Sequence, residues 1–344
     1  MNRLGPVAVG VEGKSLTVID RERLAHPLVG MVILFSANYE SPEQLIRLCS
    51  DIHALRDQPL LVAVDHEGGR VQRFRAGFTR LPPMRRLGEL WDRDVLRACR
   101  VAASLGYVMG AELRAHGVDM TFAPVLDIEH GRSAVIGDRA LHSDARVVSM
   151  LAAHLTHGLL MAGMANCGKH FPGHGWAEAD SHVALPVDSR ARDDILSNDA
   201  APYGWLGPML AGVMPAHVVY SQIASEPAGF SRHWIKKVLR RELGFTGAVF
   251  SDDLLMAGAG AAGSVAERAE AAFDAGCDFA LVCNDTAAMD QVLGTIEWKR
   301  TAPFDARLAR LQPRGSAPTM SELGDAELYR NAHRDVLELA EGRS

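Results

Sequence analysis

Eight short apolar segments, each bounded by residues that favour turns, constrain the fold of this chain most strongly. They cover residues 7–11, 32–35, 60–65, 122–127, 165–171, 212–217, 248–253 and 279–285. Near-continuous apolar segments of this length are typical of parallel strands that are buried on both faces. Ala- and Leu-rich segments with helical spacing lie between most of them, such as 95–115 and 265–275. The alternation predicts an α/β fold, specifically a (β/α)8 barrel of the TIM type.

Six of the eight predicted strands end in ionisable or strongly hydrogen-bonding residues. In chain order these ends are Asp65-His66-Glu67, Asp127, Lys169-His170, His217, Asp252-Asp253 and Asn284-Asp285. In a (β/α)8 barrel the carboxyl ends of all strands meet at one face, which carries the active site. The sequence therefore predicts a polar pocket at that face. A doubly wound open sheet is the competing architecture, but no Gly-x-Gly-x-x-Gly motif follows the first apolar segment.

Two of these strand ends carry an unusual density of reactive groups. Lys169-His170-Phe171-Pro172-Gly173-His174-Gly175 runs on to Asp180-Ser181-His182. The proline and the two glycines exclude a regular helix, so this segment is predicted to be a strand end followed by a mobile functional loop. The second end is Ser251-Asp252-Asp253. Neighbouring carboxylates repel each other and lose solvation when buried, so two of them at a strand end need a reason. A helix N-cap is the alternative for a single strand end, but the repetition of polar strand ends along the chain favours a functional role.

Composition indicates one large domain. The chain has 344 residues, of which 48% are hydrophobic, and it contains no Pro/Ser-rich linker or repeat. We therefore expect residues 1–344 to form a single barrel domain. The strand–helix alternation stops near residue 303, so residues 303–344 are predicted to be a C-terminal helical extension packed on the barrel.

Charge and cysteine content restrict the partners. A net charge of −6 argues against a nucleic-acid partner. The N-terminal residues do not have the pattern of a signal peptide, and no apolar segment approaches the length of a membrane span. Five cysteines, an odd number without a Cys-x-x-Cys pair, favour reduced thiols. We expect a monomeric cytoplasmic protein that does not bind membranes.

Taken together, the motifs resemble those of glycoside hydrolase family 3, and more narrowly its single-domain NagZ-type β-N-acetylglucosaminidases of Gram-negative bacteria. The resemblance covers nearly the whole chain and includes residues 64–73, 122–127, 136–139 and 282–285 as well as the two segments above. It implies a retaining exo-glycosidase (a β-N-acetylhexosaminidase) that removes terminal β-linked N-acetylglucosamine without a metal or cofactor. The implied substrate is N-acetylglucosaminyl-1,6-anhydro-N-acetylmuramic acid, with or without its peptide, in cytoplasmic peptidoglycan recycling.

The resemblance also implies a role for individual residues. Asp252 is the expected nucleophile, which forms a covalent glycosyl-aspartate intermediate. Strand alternation predicts that Asp253 faces away from the sugar. His182, oriented by Asp180, is the expected general acid, because imidazole titrates near neutral pH.

Five further residues are expected to bind the terminal sugar by resemblance. They are Asp65, Arg73, Arg139, Lys169 and His170. Asp65 would accept hydrogen bonds from neighbouring hydroxyls, and the four others would donate. His174 and His217 are interpreted as structural supports of the pocket.

Three other functions remain as alternatives. A β-N-acetylglucosaminide phosphorylase would use the same scaffold, because a histidine acid does not repel phosphate as a carboxylate does. A metal-dependent barrel hydrolase would use His170, His174, Asp180 and His182 as ligands, although Lys169 beside them would repel a cation. The third alternative is a sugar-binding or regulatory protein on a decayed enzyme scaffold.

Overall fold

The computed structural model describes residues 3–178 and 185–342, and in it eight parallel strands form one sheet. The strands are β1 (Val7–Val9), β2 (Val29–Leu34), β3 (Leu61–Val64), β4 (Met120–Thr121), β5 (Cys167–Phe171), β6 (Gly212–Pro215), β7 (Ala248–Asp253) and β8 (Phe279–Val282). Their order in the sheet is β4-β3-β2-β1-β8-β7-β6-β5. The order follows the chain around a ring in which β1 pairs with β8.

Isolated contacts between β4 and β5 bring the two edges of this sheet together. Met120 forms a parallel bridge with Ala165, and Val125 forms one with Lys169. The backbone N–H of Leu126 also donates to the carbonyl of Lys169 at 2.7 Å. The predicted (β/α)8 barrel is therefore confirmed.

Helices surround the barrel. The α-helices span Val18–Leu24, Pro42–His53, Arg85–Trp91, Val95–Ala115, Ala145–Met161, Arg192–Asp194, Ala201–Leu206, Val265–Ala275, Thr286–Thr295, Ala302–Leu311, Met320–Asp325 and Glu327–Ala340. Wider π-type turns cover Ile195–Asp199 and His233–Glu242. Among the described residues, no helix combines the length and the apolar character that a bilayer span requires.

Side chains at N-caps fix where several helices begin. Ser41, Asp94 and Ser264 each accept a hydrogen bond from the backbone N–H three residues later, which satisfies one of the free donors of the first turn. The two helices predicted from spacing, Val95–Ala115 and Val265–Ala275, have the bounds expected from the sequence.

Two predicted strands end well before their expected last residues, each for a local reason. The fourth was expected over residues 122–127 but covers Met120–Thr121, just before that range, and Pro124 has no N–H to donate to a strand ladder. The eighth ends at Val282 instead of 285. Asp285 accepts a hydrogen bond from the N–H of Ala288 at 3.0 Å and caps the following helix, so it is not part of the strand end.

The last helix, Glu327–Ala340, packs along the long helix Val95–Ala115. The Tyr329 hydroxyl donates to the buried carboxylate of Glu112 at 2.6 Å, and Arg100 forms an ion pair of 2.7 Å with Asp335. These contacts attach the end of the chain to the barrel. The division of the chain into a barrel and an extension beginning at residue 303 stays a prediction.

Candidate active site

A cavity of about 210 Å³ lies at the carboxyl ends of the strands. Six of the residues predicted to form the site line it: Asp65, Arg73, Arg139, Lys169, His170 and Asp252. Asp253, Glu67, His174 and Asn284 also face this cavity, together with apolar side chains such as Phe35 and Phe122. Polar groups with an apolar wall on the same cavity are typical of a small-molecule site.

Lys169 is the centre of a charge network in this cavity. Its ammonium lies 2.6 Å from Asp65 Oδ1 and 2.7 Å from Glu67 Oε1. Arg139 binds the same Glu67 carboxylate through Nε at 2.8 Å and through its second terminal nitrogen at 2.9 Å. Arg73 completes the network with a contact of 3.5 Å to Asp65 Oδ2. Because the network joins the ends of β3 and β5 to residue 139, it fixes the cavity wall before any ligand binds.

The network stays ionised although it is buried. Burial alone would raise the pKa of Asp65, but the charges of Lys169 and Arg73 outweigh it and hold that pKa below its ordinary value. Burial likewise opposes ionisation of Glu67, whose pKa Arg139 and Lys169 hold well below the usual range. Burial would lower the pKa of Lys169, but Asp65 and Glu67 raise it. Paired in this way, the charges are available as hydrogen-bonding groups at neutral pH.

His170 is oriented by a buried carboxylate behind it. Asp127, which is fully buried, lies 2.7 Å from His170 Nδ1 and also accepts hydrogen bonds from the backbone N–H groups of His170 and His174. The contact to Nδ1 leaves Nε2 as the ring nitrogen that can meet a ligand. Burial would raise the pKa of Asp127, but the two histidines lower it, so it remains an acceptor.

Asp252 and Asp253 both line the cavity, and the expectation that only Asp252 faces the sugar stays a prediction. The register of β7 against β8 shifts between Phe250 and Asp253, and such an irregularity re-aims side chains that would otherwise alternate. The backbone N–H of Asp253 donates to Asp252 Oδ1 at 2.8 Å, while the Asp253 carboxylate accepts from the N–H of Leu255 at 3.0 Å. The two carboxylates are thus held by different local partners.

His217 supports this strand end from outside the cavity. It is fully buried, and its Nε2 lies 3.2 Å from the carbonyl oxygen of Asp253. Burial lowers the pKa of His217, which makes it a neutral hydrogen-bonding group. The position agrees with the interpretation of His217 as a structural support.

Asp253 gives a stability prediction with a defined pH dependence. Burial raises the pKa of this carboxyl from 3.8 to about 6. The protonated form favours the folded state, and this contribution is lost as the pH rises through about 6. The asparagine of Asp253→Asn has no charge to gain, so the variant does not lose this stability as the pH rises. We expect the difference in free energy of unfolding, variant minus wild type, to increase by up to about 3 kcal/mol between pH 4 and pH 8. Urea unfolding at several pH values measures the gain, and a difference that does not change with pH would contradict the shifted pKa.

Two predicted residues, Asp180 and His182, lie outside the residues that the structure describes. Their proposed pairing stays a prediction. Within residues 3–178 and 185–342, no group of three or more His, Cys, Asp and Glu side chains is placed to hold a metal ion. The predicted ligand set of the metal-dependent alternative includes Asp180 and His182, so that alternative is left to experiment.

Two residues of the site had no assigned role in the sequence. Glu67 holds Lys169 and Arg139 together, and Asp127 holds His170. Glu67 stands two residues after Asp65, and this spacing places both side chains on the same face of an extended segment. That spacing is the signal that could have identified Glu67.

Comparison with known proteins gives consistent matches over nearly the whole chain. Residues 8–313 match the Glycosyl hydrolase family 3 N terminal domain. A beta-hexosaminidase of Bordetella avium is 56% identical over 340 residues, which cover 98% of this chain and 97% of that protein. A beta-hexosaminidase of Thiobacillus denitrificans is 55% identical over 335 residues, covering 97% and 93%. The crystal structure of native NagZ from Neisseria gonorrhoeae matches with a TM-score of 0.93 at 42% identity and 98% coverage of both chains.

Proposed function

The chain belongs to glycosyl hydrolase family 3, and we propose that it is a β-hexosaminidase that removes terminal β-linked N-acetylglucosamine with retention of configuration. The observation that carries the proposal is that Asp252 and the network of Asp65, Lys169 and Arg139 line the same cavity. A carboxylate beside a dense set of hydroxyl-binding groups is the arrangement that a glycosidase requires.

Asp252 is the proposed nucleophile. A retaining enzyme needs one carboxylate that attacks the anomeric carbon and is later released by water. Asp252 lines the cavity at the end of β7, where its Oδ1 is fixed by the N–H of Asp253. That contact orients the carboxylate and leaves Oδ2 for attack. The intermediate would be a covalent glycosyl-aspartate.

The proposed general acid is His182, with Asp180 as the group that orients it. The acid protonates the departing glycosidic oxygen, and in the second step it takes a proton from the attacking water. In the sequence the pair follows β5 by about ten residues, and active-site residues of this fold are typically carried by the loops that follow the strands, which supports the proposal. The assignment of both residues depends on the family motif.

The sugar hydroxyls are proposed to form hydrogen bonds with the donor and acceptor atoms of the network residues that are not used within the network. Two of the three ammonium hydrogens of Lys169 are used by Asp65 and Glu67, and one remains for a ligand. Asp65 retains acceptor capacity, because a carboxylate has about four lone-pair sites. His170 offers Nε2, and Arg73 offers its remaining N–H groups at the cavity wall. Binding would therefore add hydrogen bonds without breaking the network.

The proposed substrate is N-acetylglucosaminyl-1,6-anhydro-N-acetylmuramic acid, with or without its peptide. NagZ from Neisseria gonorrhoeae has been crystallised in complex with N-trifluoroacetyl-D-glucosamine, and it is 42% identical to this chain. An N-acylated glucosamine is thus the ligand type of a close structural relative. A role in peptidoglycan recycling, a cytoplasmic location and a monomeric state belong to the same proposal.

The experiment compares release of nitrophenol from the β-N-acetylglucosaminide and from the β-glucoside, in phosphate-free buffer with a chelator. We expect cleavage of the N-acetylated compound alone. Preference for the glucoside would keep the mechanism and overturn the substrate. Activity that requires added phosphate would indicate a phosphorylase, and activity abolished by the chelator would indicate a metal-dependent hydrolase.

A further inference from the structure

Trp176, two residues after the cavity-lining His174, has an unusual environment. The guanidinium carbons of Arg132 and Arg190 each lie 4.6 Å from the centroid of its ring. The ring of His130 meets the indole edge to face, at a centroid distance of 5.4 Å and an interplanar angle of 76°. Guanidinium groups over an indole are among the more favourable side-chain contacts for a cation. One tryptophan therefore connects segments that are distant in sequence.

Arg190 is a fixed partner for this ring. Its guanidinium donates to the Asp188 carboxylate at 2.6 Å and to Asp199 Oδ2 at 2.8 Å. The other oxygen of Asp199 lies 2.9 Å from His130 Nε2. Asp188 and Asp199 are both buried, so these are charge-assisted hydrogen bonds shielded from water. Arg190 and His130 thus contact Trp176 while both are held by one carboxylate.

The same buried carboxylate also lies against the turn that follows β5. A Cβ atom built on Gly173 would come within 2.7 Å of Asp199 Cβ, so only a glycine fits this close approach. The Tyr220 hydroxyl donates to the carbonyl of Gly173 at 2.8 Å, and Tyr220 pairs in a short parallel strand with Asp188. The chain before Trp176 and the chain that contains Arg190 are therefore attached to the same part of the barrel.

Trp176 and Arg190 stand on opposite sides of residues 179–184 in the sequence. Arg132 forms an ion pair with Glu178, the last described residue before that segment, and both residues precede the segment in the sequence. The contacts of Arg132, Trp176 and Arg190 thus connect the chain that enters the segment to the chain that leaves it.

We propose that Trp176 is a positioning residue for proton transfer: with Arg132 and Arg190 it joins the described chain that precedes residues 179–184 to the described chain that follows them, and Asp180 and His182 lie between the two in the sequence. The inference rests on the proposed function, in which His182 protonates the leaving oxygen. Proton transfer depends on hydrogen-bond geometry, and a displacement of about 1 Å reduces rates by about a hundredfold. Loss of the contacts between Trp176 and the two arginines should therefore slow the step that needs the acid and leave a reaction that does not need it unchanged.

The experiment measures kcat/KM of Trp176→Ala over aryl N-acetylglucosaminides whose leaving groups range from dinitrophenol to unsubstituted phenol. We expect a loss of about tenfold to a hundredfold for the phenol glycoside, which needs protonation, and less than about threefold for the dinitrophenyl glycoside. The undiminished rate on the activated substrate also reports that the variant is folded. Trp176→Phe keeps a ring for the two guanidinium groups and is expected to restore most of the loss.

Trp205→Ala is the matched control. Trp205 lies on the helix Ala201–Leu206 with 55% of its surface exposed, and its removal should leave the whole series unchanged. Equal losses of Trp176→Ala on all substrates, or no loss on any, would overturn the positioning role. His182→Ala distinguishes failure of the proposed acid from failure of the positioning role. If the loss of kcat/KM in His182→Ala does not depend on the leaving group, His182 is not the acid. If the loss in His182→Ala depends on the leaving group and the loss in Trp176→Ala does not, only the role of Trp176 is overturned.

Discussion

Replacing Asp252 with asparagine is expected to lower kcat/KM for every N-acetylglucosaminide by at least about four orders of magnitude, the effect that removal of a nucleophile typically has. The amide cannot form the glycosyl ester, so leaving-group ability does not rescue it. Its oxygen can still accept the hydrogen bond from the N–H of Asp253, and the fold around β7 should be retained. Steady-state kinetics on the nitrophenyl and disaccharide substrates, with thermal unfolding as a check, measures the effect.

Asp253→Asn is the matched control, because the same substitution is made one residue along the same strand end. Both carboxylates line the cavity, so position alone does not decide which one attacks. Asp253 accepts the N–H of Leu255 and contacts Asn284 at 3.4 Å, which suits a residue that shapes the turn. We expect this variant to keep measurable turnover. A larger loss for Asp253→Asn than for Asp252→Asn would assign the nucleophile to Asp253 instead.

The architecture was predictable from the sequence because parallel strands buried on both faces have a distinctive composition. Segments such as residues 60–65 and 248–253 are almost entirely apolar until their last residues, and that boundary marks the active face of the barrel. The same boundary marks Asp65, Lys169 and Asp252 in the sequence as residues of that face. The change from apolar to polar residues at strand ends therefore predicts both the barrel fold and the face on which the site lies.

Details that depend on backbone irregularities were not predictable. Strand alternation predicts opposite directions for Asp252 and Asp253, but the register of β7 shifts at this point and both residues line one cavity. A similar shift between Lys169 and Phe171 accompanies the placement of both Lys169 and His170 at one cavity, although they are adjacent in the chain. Such shifts depend on how neighbouring strands pair, and that pairing involves residues distant in sequence.

Pairing between buried charges was the second feature that the sequence did not reveal. Glu67 stands in the recognised motif, but its partner Arg139 follows 72 residues later. Only the fold shows that a carboxylate is needed there to balance Lys169 and Arg139. A buried cation without such a partner would cost several kcal/mol, of the order of 3–5. The role of Glu67 therefore follows from the tertiary structure.

Replacing His182 with alanine is expected to lower kcat/KM by an amount that depends on the leaving group of the substrate. Without an acid, kcat/KM for the natural disaccharide should fall by about 10²–10⁴-fold, because the sugar oxygen departs poorly as an anion. Nitrophenyl substrates release a stable phenolate, so their loss should stay below about tenfold. Asp180→Asn should show the same selectivity with a smaller loss, since the imidazole would remain without the carboxylate that stabilises its protonated form.

His53→Ala is the matched control for this pair. His53 Nε2 contacts Asp119 at 2.9 Å, which gives a histidine–aspartate pair like the one proposed for His182 and Asp180, but Asp119 precedes β4 and lies at the opposite end of the barrel. Its removal should leave kcat/KM unchanged for both substrate types. Equal losses of His182→Ala on the disaccharide and the nitrophenyl compound would assign His182 to binding or folding. The acid would then have to be sought among the groups that line the cavity, where Asp253, with its pKa raised by burial to about 6, is the first to test.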